Sequence, residues 1–172
     1  MIVVADSGPL HYLILLDHAD LLHRFYGAVL VPEAVAVELS LASAPLVVRD
    51  WMSRAPSWLT VVPVDSDKVQ AVTDELDLGE RAAIALAGTM HADLLLIDEA
   101  AGRAEAKRRN LRVTGTLGVL RAAAELGLVD VPGLILRIKA TSFYADEVLL
   151  NFNFRSMARI MTIGFAESVV TS

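Results

Sequence analysis

Short, β-branched apolar runs alternate along this chain with longer segments of helical character. Ile2–Ala5, Ala28–Val31, Leu59–Val64, Asp93–Ile97 and Leu111–Thr114 read as strands. Between and after them lie helical stretches: Leu10 to Asp17, Ala19 to Tyr26, Pro32 to Leu41, Asp67 to Glu75, Glu80–His91, Glu99–Asn110, Thr116–Leu126 and Val131–Ala140. Trp51 and Trp58 anchor a further helical excursion between Pro45 and Pro56. Strands that alternate with helices predict an α/β fold with helices on both faces of a mainly parallel sheet. Pro63 marks Leu59–Val64 as an edge strand, because proline cannot donate to a ladder.

That order places chemistry. Asp6 ends the first apolar run and Asp98 ends Leu94-Leu95-Leu96-Ile97. In a parallel sheet both emerge at the carboxyl edge, where such folds place their sites. Glu38 and Glu80 add two more acids, each on a predicted helix. Clustered hard carboxylate oxygens suit Mg²⁺ or Mn²⁺ and hence phosphodiester chemistry. Each acid also has a plainer use. Asp6 before Ser7-Gly8-Pro9 can cap a helix, and Asp98 before Glu99 can do the same. Glu80 stands where a capping box from Asp77 puts its second member. Glu38 has the setting of a solvent-face residue.

Composition narrows the classes. The 172 residues are 55% hydrophobic and 21% charged, enough for one full core. The chain has no cysteine, which excludes disulfides, thiolate catalysis and cysteine-based zinc sites. No apolar run approaches membrane-span length, and no leader pattern precedes the first strand, so a cytoplasmic protein without a membrane partner is expected. The net charge of −6 is uneven: residues 1–101 carry 5 basic and 15 acidic groups (−10), residues 102–172 carry 10 and 6 (+4). Arg103, Lys107 and Arg108 lead the densest basic stretch, just after Asp98. A basic surface beside an acidic pocket suits a polyanion, and a solvated helix face has the same composition.

Other chemistries lack their residues. The sequence has no phosphate-binding Gly-x-x-x-x-Gly-Lys loop, no Gly-x-Gly-x-x-Gly after the first strand and no Gly-x-Ser-x-Gly elbow. His11, His18, His23 and His91 form no His-x-x-x-His pair. Gly8 stands where an Asp-x-Asp phosphatase would need its second aspartate.

Taken in order, the segments Val3-Val4-Ala5-Asp6-Ser7-Gly8-Pro9-Leu10, Val31-Pro32-Glu33 through Glu38-Leu39, Leu78-Gly79-Glu80-Arg81-Ala82-Ala83, Leu95-Leu96-Ile97-Asp98-Glu99 and Val113-Thr114-Gly115-Thr116-Leu117-Gly118 resemble the PIN domain, in its VapC-toxin-like branch. The likeness covers about residues 1–140. It implies a three-layer α/β/α sandwich over 1–142, with 143–172 as a C-terminal extension. It further implies a metal-dependent ribonuclease, the toxin or toxin-like half of a toxin–antitoxin pair. Asp6, Glu38, Glu80 and Asp98 fall on the family's four acids, with Glu99 as an added ligand candidate. Ser7 and Thr116 could orient water or a carboxylate, and the third acid is often Asp in relatives, so Glu80 lengthens that arm. RNA, a small antitoxin protein and a second copy of the chain are the implied partners. The rival expectations are a non-cleaving PIN-like module that binds nucleic acid or protein, and a phosphatase for small phosphoesters.

Overall fold

The computed structural model describes residues 1–142; the expected extension 143–172 lies outside them. The chain divides into two compact units, Met1–Thr116 and one that begins at Leu117.

The first unit is built on five parallel strands: β1 (Val3–Ala5), β2 (Val29–Pro32), β3 (Leu59–Val62), β4 (Leu94–Leu96) and β5 (Val113–Thr114). Their order is β3-β2-β1-β4-β5, so β3 is an edge, as Pro63 predicts. Seven helices connect or follow them: α1 (Ser7–Leu15), α2 (Asp20–Tyr26), α3 (Glu33–Ser40), α4 (Leu46–Ser53), α5 (Ser66–Gln70), α6 (Leu78–Thr89) and α7 (Ala100–Arg108). The chain winds outward from β1 to β3, then crosses to β4 and continues the other way. Right-handed crossovers therefore put the two halves on opposite faces of the sheet. The register agrees. Val4 lies beside Leu30 and Leu95, and Leu95 beside Val113. These four share one face, in a core with Val69 of α5, Ala82–Ala87 of α6 and Ala106 of α7. Val3, Ala5, Val31 and Leu96 point the other way and are also fully buried. Burial on both faces explains why these strands are continuously apolar rather than alternating.

The point where winding reverses lies between β1 and β4, adjacent strands with Ala5 opposite Leu96. The Asp6 amide donates to the Leu96 carbonyl at 2.9 Å, so the first acid is fixed to the strand that carries the fourth. Open α/β sheets bind ligands at this position.

Two details add to the expected pattern. The helix expected over Asp67 to Glu75 stops at Gln70. Val72 turns into the core, and Thr73 and Asp74, poor helix formers, follow it in irregular chain. Asn110, at φ 61°, closes the turn after α7 in the left-handed conformation asparagine tolerates. The second unit holds α8 (Thr116–Glu125) from Leu117 onward, and α9 (Val131–Lys139). The Asp130 carboxylate caps α9 by accepting from the Gly133 amide at 2.9 Å.

Candidate acidic site

Asp6 is at the N-cap position of α1 yet its side chain caps nothing. One of the two usual donors is missing, because the third helical residue is Pro9, which has no N–H; the other, the Gly8 amide, is not engaged by the Asp6 side chain. Its carboxyl is instead buried, 3% exposed, with Oδ1 lacking any hydrogen-bond partner. Burial pushes its pKa up to about 7; the Ser7 amide opposes the shift, and Asp77, Glu80 and Glu38 reinforce it by like charge.

Glu80 does cap, and does more. Asp77 Oδ1 accepts from the Glu80 amide at 2.8 Å, and Glu80 Oε2 accepts from the Asp77 amide at 3.3 Å. This reciprocal box uses one of its carboxylate oxygens. Oε1 is left buried and unpartnered. Burial raises the Glu80 pKa, with Asp77, Glu99 and Glu38 adding to the rise and the Asp77 amide opposing it.

Glu38 remains exposed, as its helical setting suggests. It nevertheless reaches the same place: its Oε2 lies 2.8 Å from where a Cβ on Gly79 would sit, and the Ser7 side chain acts on its carboxylate. Partial desolvation raises its pKa; the Ser7 side chain opposes that and Asp77 adds to it.

Asp98 is held differently. Its Oδ1 accepts from the Thr116 amide at 2.7 Å and its Oδ2 from the Thr116 hydroxyl at 2.6 Å. Burial raises its pKa against those bonds and the nearby Arg103 charge. Arg103 Nη1 donates to the Ile97 carbonyl at 2.9 Å, so its guanidinium lies along the turn after β4. Asp98 Oδ2 stands 3.4 Å from where a Cβ on Gly8 would be, beside the start of α1. Glu99 is exposed and adds negative potential to both Glu80 and Asp98.

The structure thus brings Asp6, Glu38 and Glu80 into one electrostatic group, with Asp98 against the turn that follows Asp6. It adds Asp77, which acts on all three of the first group and which the sequence reading used only as a cap. The signal for it was present: a capping residue three positions before a candidate acid shares that acid's surroundings. Of the basic residues, Arg103 stands beside Asp98, and the other two are not gathered into this group. Lys107 is exposed on α7, while Arg108 is tied by two bonds, 2.7 and 2.8 Å, to the buried carboxylate of Glu105.

The donor set is all hard oxygen, and two buried carboxylate oxygens have no proton donor to satisfy them. Bare buried carboxylates in mutual repulsion fit a divalent cation of the Mg²⁺ or Mn²⁺ kind. Among the described residues, no three histidine or acidic side chains already stand as a closed ligand group. No helix among those residues is long and apolar enough to cross a membrane. Compared with known families, residues 2–158 match a model described as a PIN domain. No curated protein matches the chain.

Proposed function

Because this chain belongs to the PIN-domain family, whose members are generally nucleases, we propose that it is a ribonuclease dependent on Mg²⁺ or Mn²⁺. The observation that carries this reading is the pair of buried, unpartnered oxygens, Asp6 Oδ1 and Glu80 Oε1, in a group of like charges. Asp6, Glu80, Glu38 and Asp98 would hold the cation, with Glu99 at the exposed rim. Such a cation supplies Lewis acidity at the scissile phosphate.

The chain's own residues do the positioning. Thr116 fixes Asp98 through both its amide and its hydroxyl, which leaves that carboxylate little freedom to turn. The capping box fixes Glu80 through one oxygen and leaves the other unpartnered. Ser7 steadies Glu38. Arg103, Lys107 and Arg108 lie on α7, the helix that begins just after Asp98; the exposed Lys107 would supply positive charge for an RNA backbone, with Arg103 at Asp98 and Arg108 committed largely to Glu105. We place the protein in the VapC-toxin-like branch, held by a small antitoxin and acting as a homodimer in the cytoplasm; the order of its motifs supports that placement.

The second reading is a PIN-like module that binds RNA or protein without cutting. The test is cleavage of a mixed structured-RNA pool by wild type and Asp6→Asn, with Mn²⁺ and with EDTA. Cleavage by wild type alone, abolished by EDTA, is the expected result. RNA binding without cleavage would favour the second reading, and turnover of a small phosphoester with RNA untouched would displace both.

A further inference from the structure

Glu38, Glu80 and Asp98 each face a glycine. A Cβ on Gly79 would lie 2.8 Å from Glu38 Oε2, one on Gly115 would lie 2.5 Å from Asp98 Oδ1, and one on Gly102 would lie 2.6 Å from Glu80 Oε1. Carbon and oxygen do not approach that closely, so each glycine leaves the space its carboxylate fills. Gly102 is the most telling. It occupies the third position of α7, where alanine would favour the helix, so local propensity argues against glycine. Its φ is not positive, so no turn requires it. What it faces is Glu80 Oε1, 2.6 Å from its missing Cβ, and the end of the Ile97 side chain at 2.5 Å.

We propose that Gly102 is a positioning residue matched to the length of Glu80: its missing side chain gives Oε1 the room to stand free for a cation. The third acid is carried by a longer arm than aspartate, and the facing helix yields the corresponding volume. The inference rests on the cation-binding reading above. It assigns α7 a part in the ligand geometry, in addition to its basic face.

The prediction is a coupling between two positions. With Glu at position 80, Gly102→Ala weakens Mn²⁺ binding at least about tenfold, the loss typical when a group supporting a ligand is disturbed. With Glu80→Asp, whose shorter side chain vacates the space, Gly102→Ala changes Mn²⁺ affinity by less than about twofold, a non-additivity that a double-mutant cycle isolates. The affinities are read by titration calorimetry on the full chain with Mn²⁺ alone. Because the methyl group added by Gly102→Ala would also press on Ile97, the cycle is repeated with Ile97→Val, which removes the Cδ1 atom. The loss of affinity and its rescue are expected to persist there. Melting without cation, in all variants, shows that each is folded.

Three results overturn the proposal. Equal affinities for wild type and Gly102→Ala would mean that Glu80 Oε1 does not need the space. Failure of Glu80→Asp to rescue would make Gly102 a packing residue for Ile97 alone. Loss of the effect with Ile97→Val would say the same. If wild type binds no Mn²⁺ at all, the cation reading falls and this inference with it, which separates that outcome from the other three.

Discussion

Glu80 gives one carboxylate oxygen to the Asp77 amide and keeps the other buried without a partner. A cap and a candidate ligand are therefore one side chain. Rigidity from the helix end is conferred on the free oxygen, because the bond to Oε2 and the reciprocal bond to Asp77 restrict how the carboxylate can rotate. A ligand that is already oriented gives up less freedom when it binds.

The metal-free protein should lose stability as pH rises from about 4 to about 7. Asp6 has its pKa raised from 3.8 to about 7 in the fold, so the folded state binds its proton more tightly than the unfolded chain does. Stability from this group is full below the unfolded value and is lost progressively up to the folded one. For a shift of that size the loss is on the order of 4 kcal/mol, reduced by relaxation of the cluster. Glu38, Glu80 and Asp98 are shifted in the same direction. Chemical denaturation in EDTA across this range measures it. Asp6→Asn is expected to flatten the profile, and a wild-type profile that is already flat would contradict the burial argument.

Saturating Mn²⁺ should raise the melting temperature, since a cation bound only to the folded state contributes about 2.7 kcal/mol at a hundred times its dissociation constant. For a chain of this length that is roughly a 5–10 °C shift. Glu80→Gln and Asp6→Asn are expected to remove most of it. An unchanged shift in both would place the cation elsewhere.

Thr116→Val should release Asp98 Oδ2 while keeping the amide bond to Oδ1. Loss of a short bond to a charged acceptor costs about 1.5–3 kcal/mol of stability. Cleavage is expected to fall about 10- to 100-fold, as for groups that orient a ligand. Thr116→Ser retains the hydroxyl and should retain most activity. Equal activity of the Val and Ser variants would show that the amide bond suffices.

Glu105 opposes the acids in its titration. Bonds from Arg108 and Arg109 hold its pKa down at about 2, so its contribution is present above pH 4.5 and fades as pH falls toward 2. Its partner Arg109 also donates to the Ala71 carbonyl at 2.7 Å, tying α7 to the segment after α5. Glu105→Gln is expected to lower the melting temperature by roughly 2–5 °C at neutral pH and by much less at pH 3. An equal loss at both would assign the effect to packing.

Lys107→Ala should weaken RNA binding across sequences alike and reduce the salt slope by about 1, with melting unchanged. Arg108→Ala should do less to binding and more to melting, because its guanidinium is committed to Glu105. The opposite ranking would put Arg108 on the RNA.

The sheet was legible because its strands are buried on both faces, and a continuous apolar run survives as a signal without any partner in view. Asp6 and Asp98 were legible for the same reason, as the polar residues that end such runs. Whether Asp6 capped a helix was not decided by the sequence, since Pro9 removes one donor a cap could use and Gly8 keeps the other. Glu38 was harder. Its part in the group depends on α3 approaching α6 at Gly79, a contact between helices distant in sequence that no local pattern encodes. Asp77 was recognised by its hydrogen-bonding role, and that role hid its charge. The short α5 escaped because burial of Val72 outweighs the helical pattern of the residues around it.

The Asp6 amide is bonded to Leu96, so the spacing between the strand ends that carry the first and last acids is set by the main chain. Helix substitutions cannot easily change it. Glu38 and Glu80 ride on α3 and α6, and their positions move with whatever packs beneath those helices. Exchanging small residues at helix contacts would therefore change how tightly the cluster closes, while the sheet keeps its gauge.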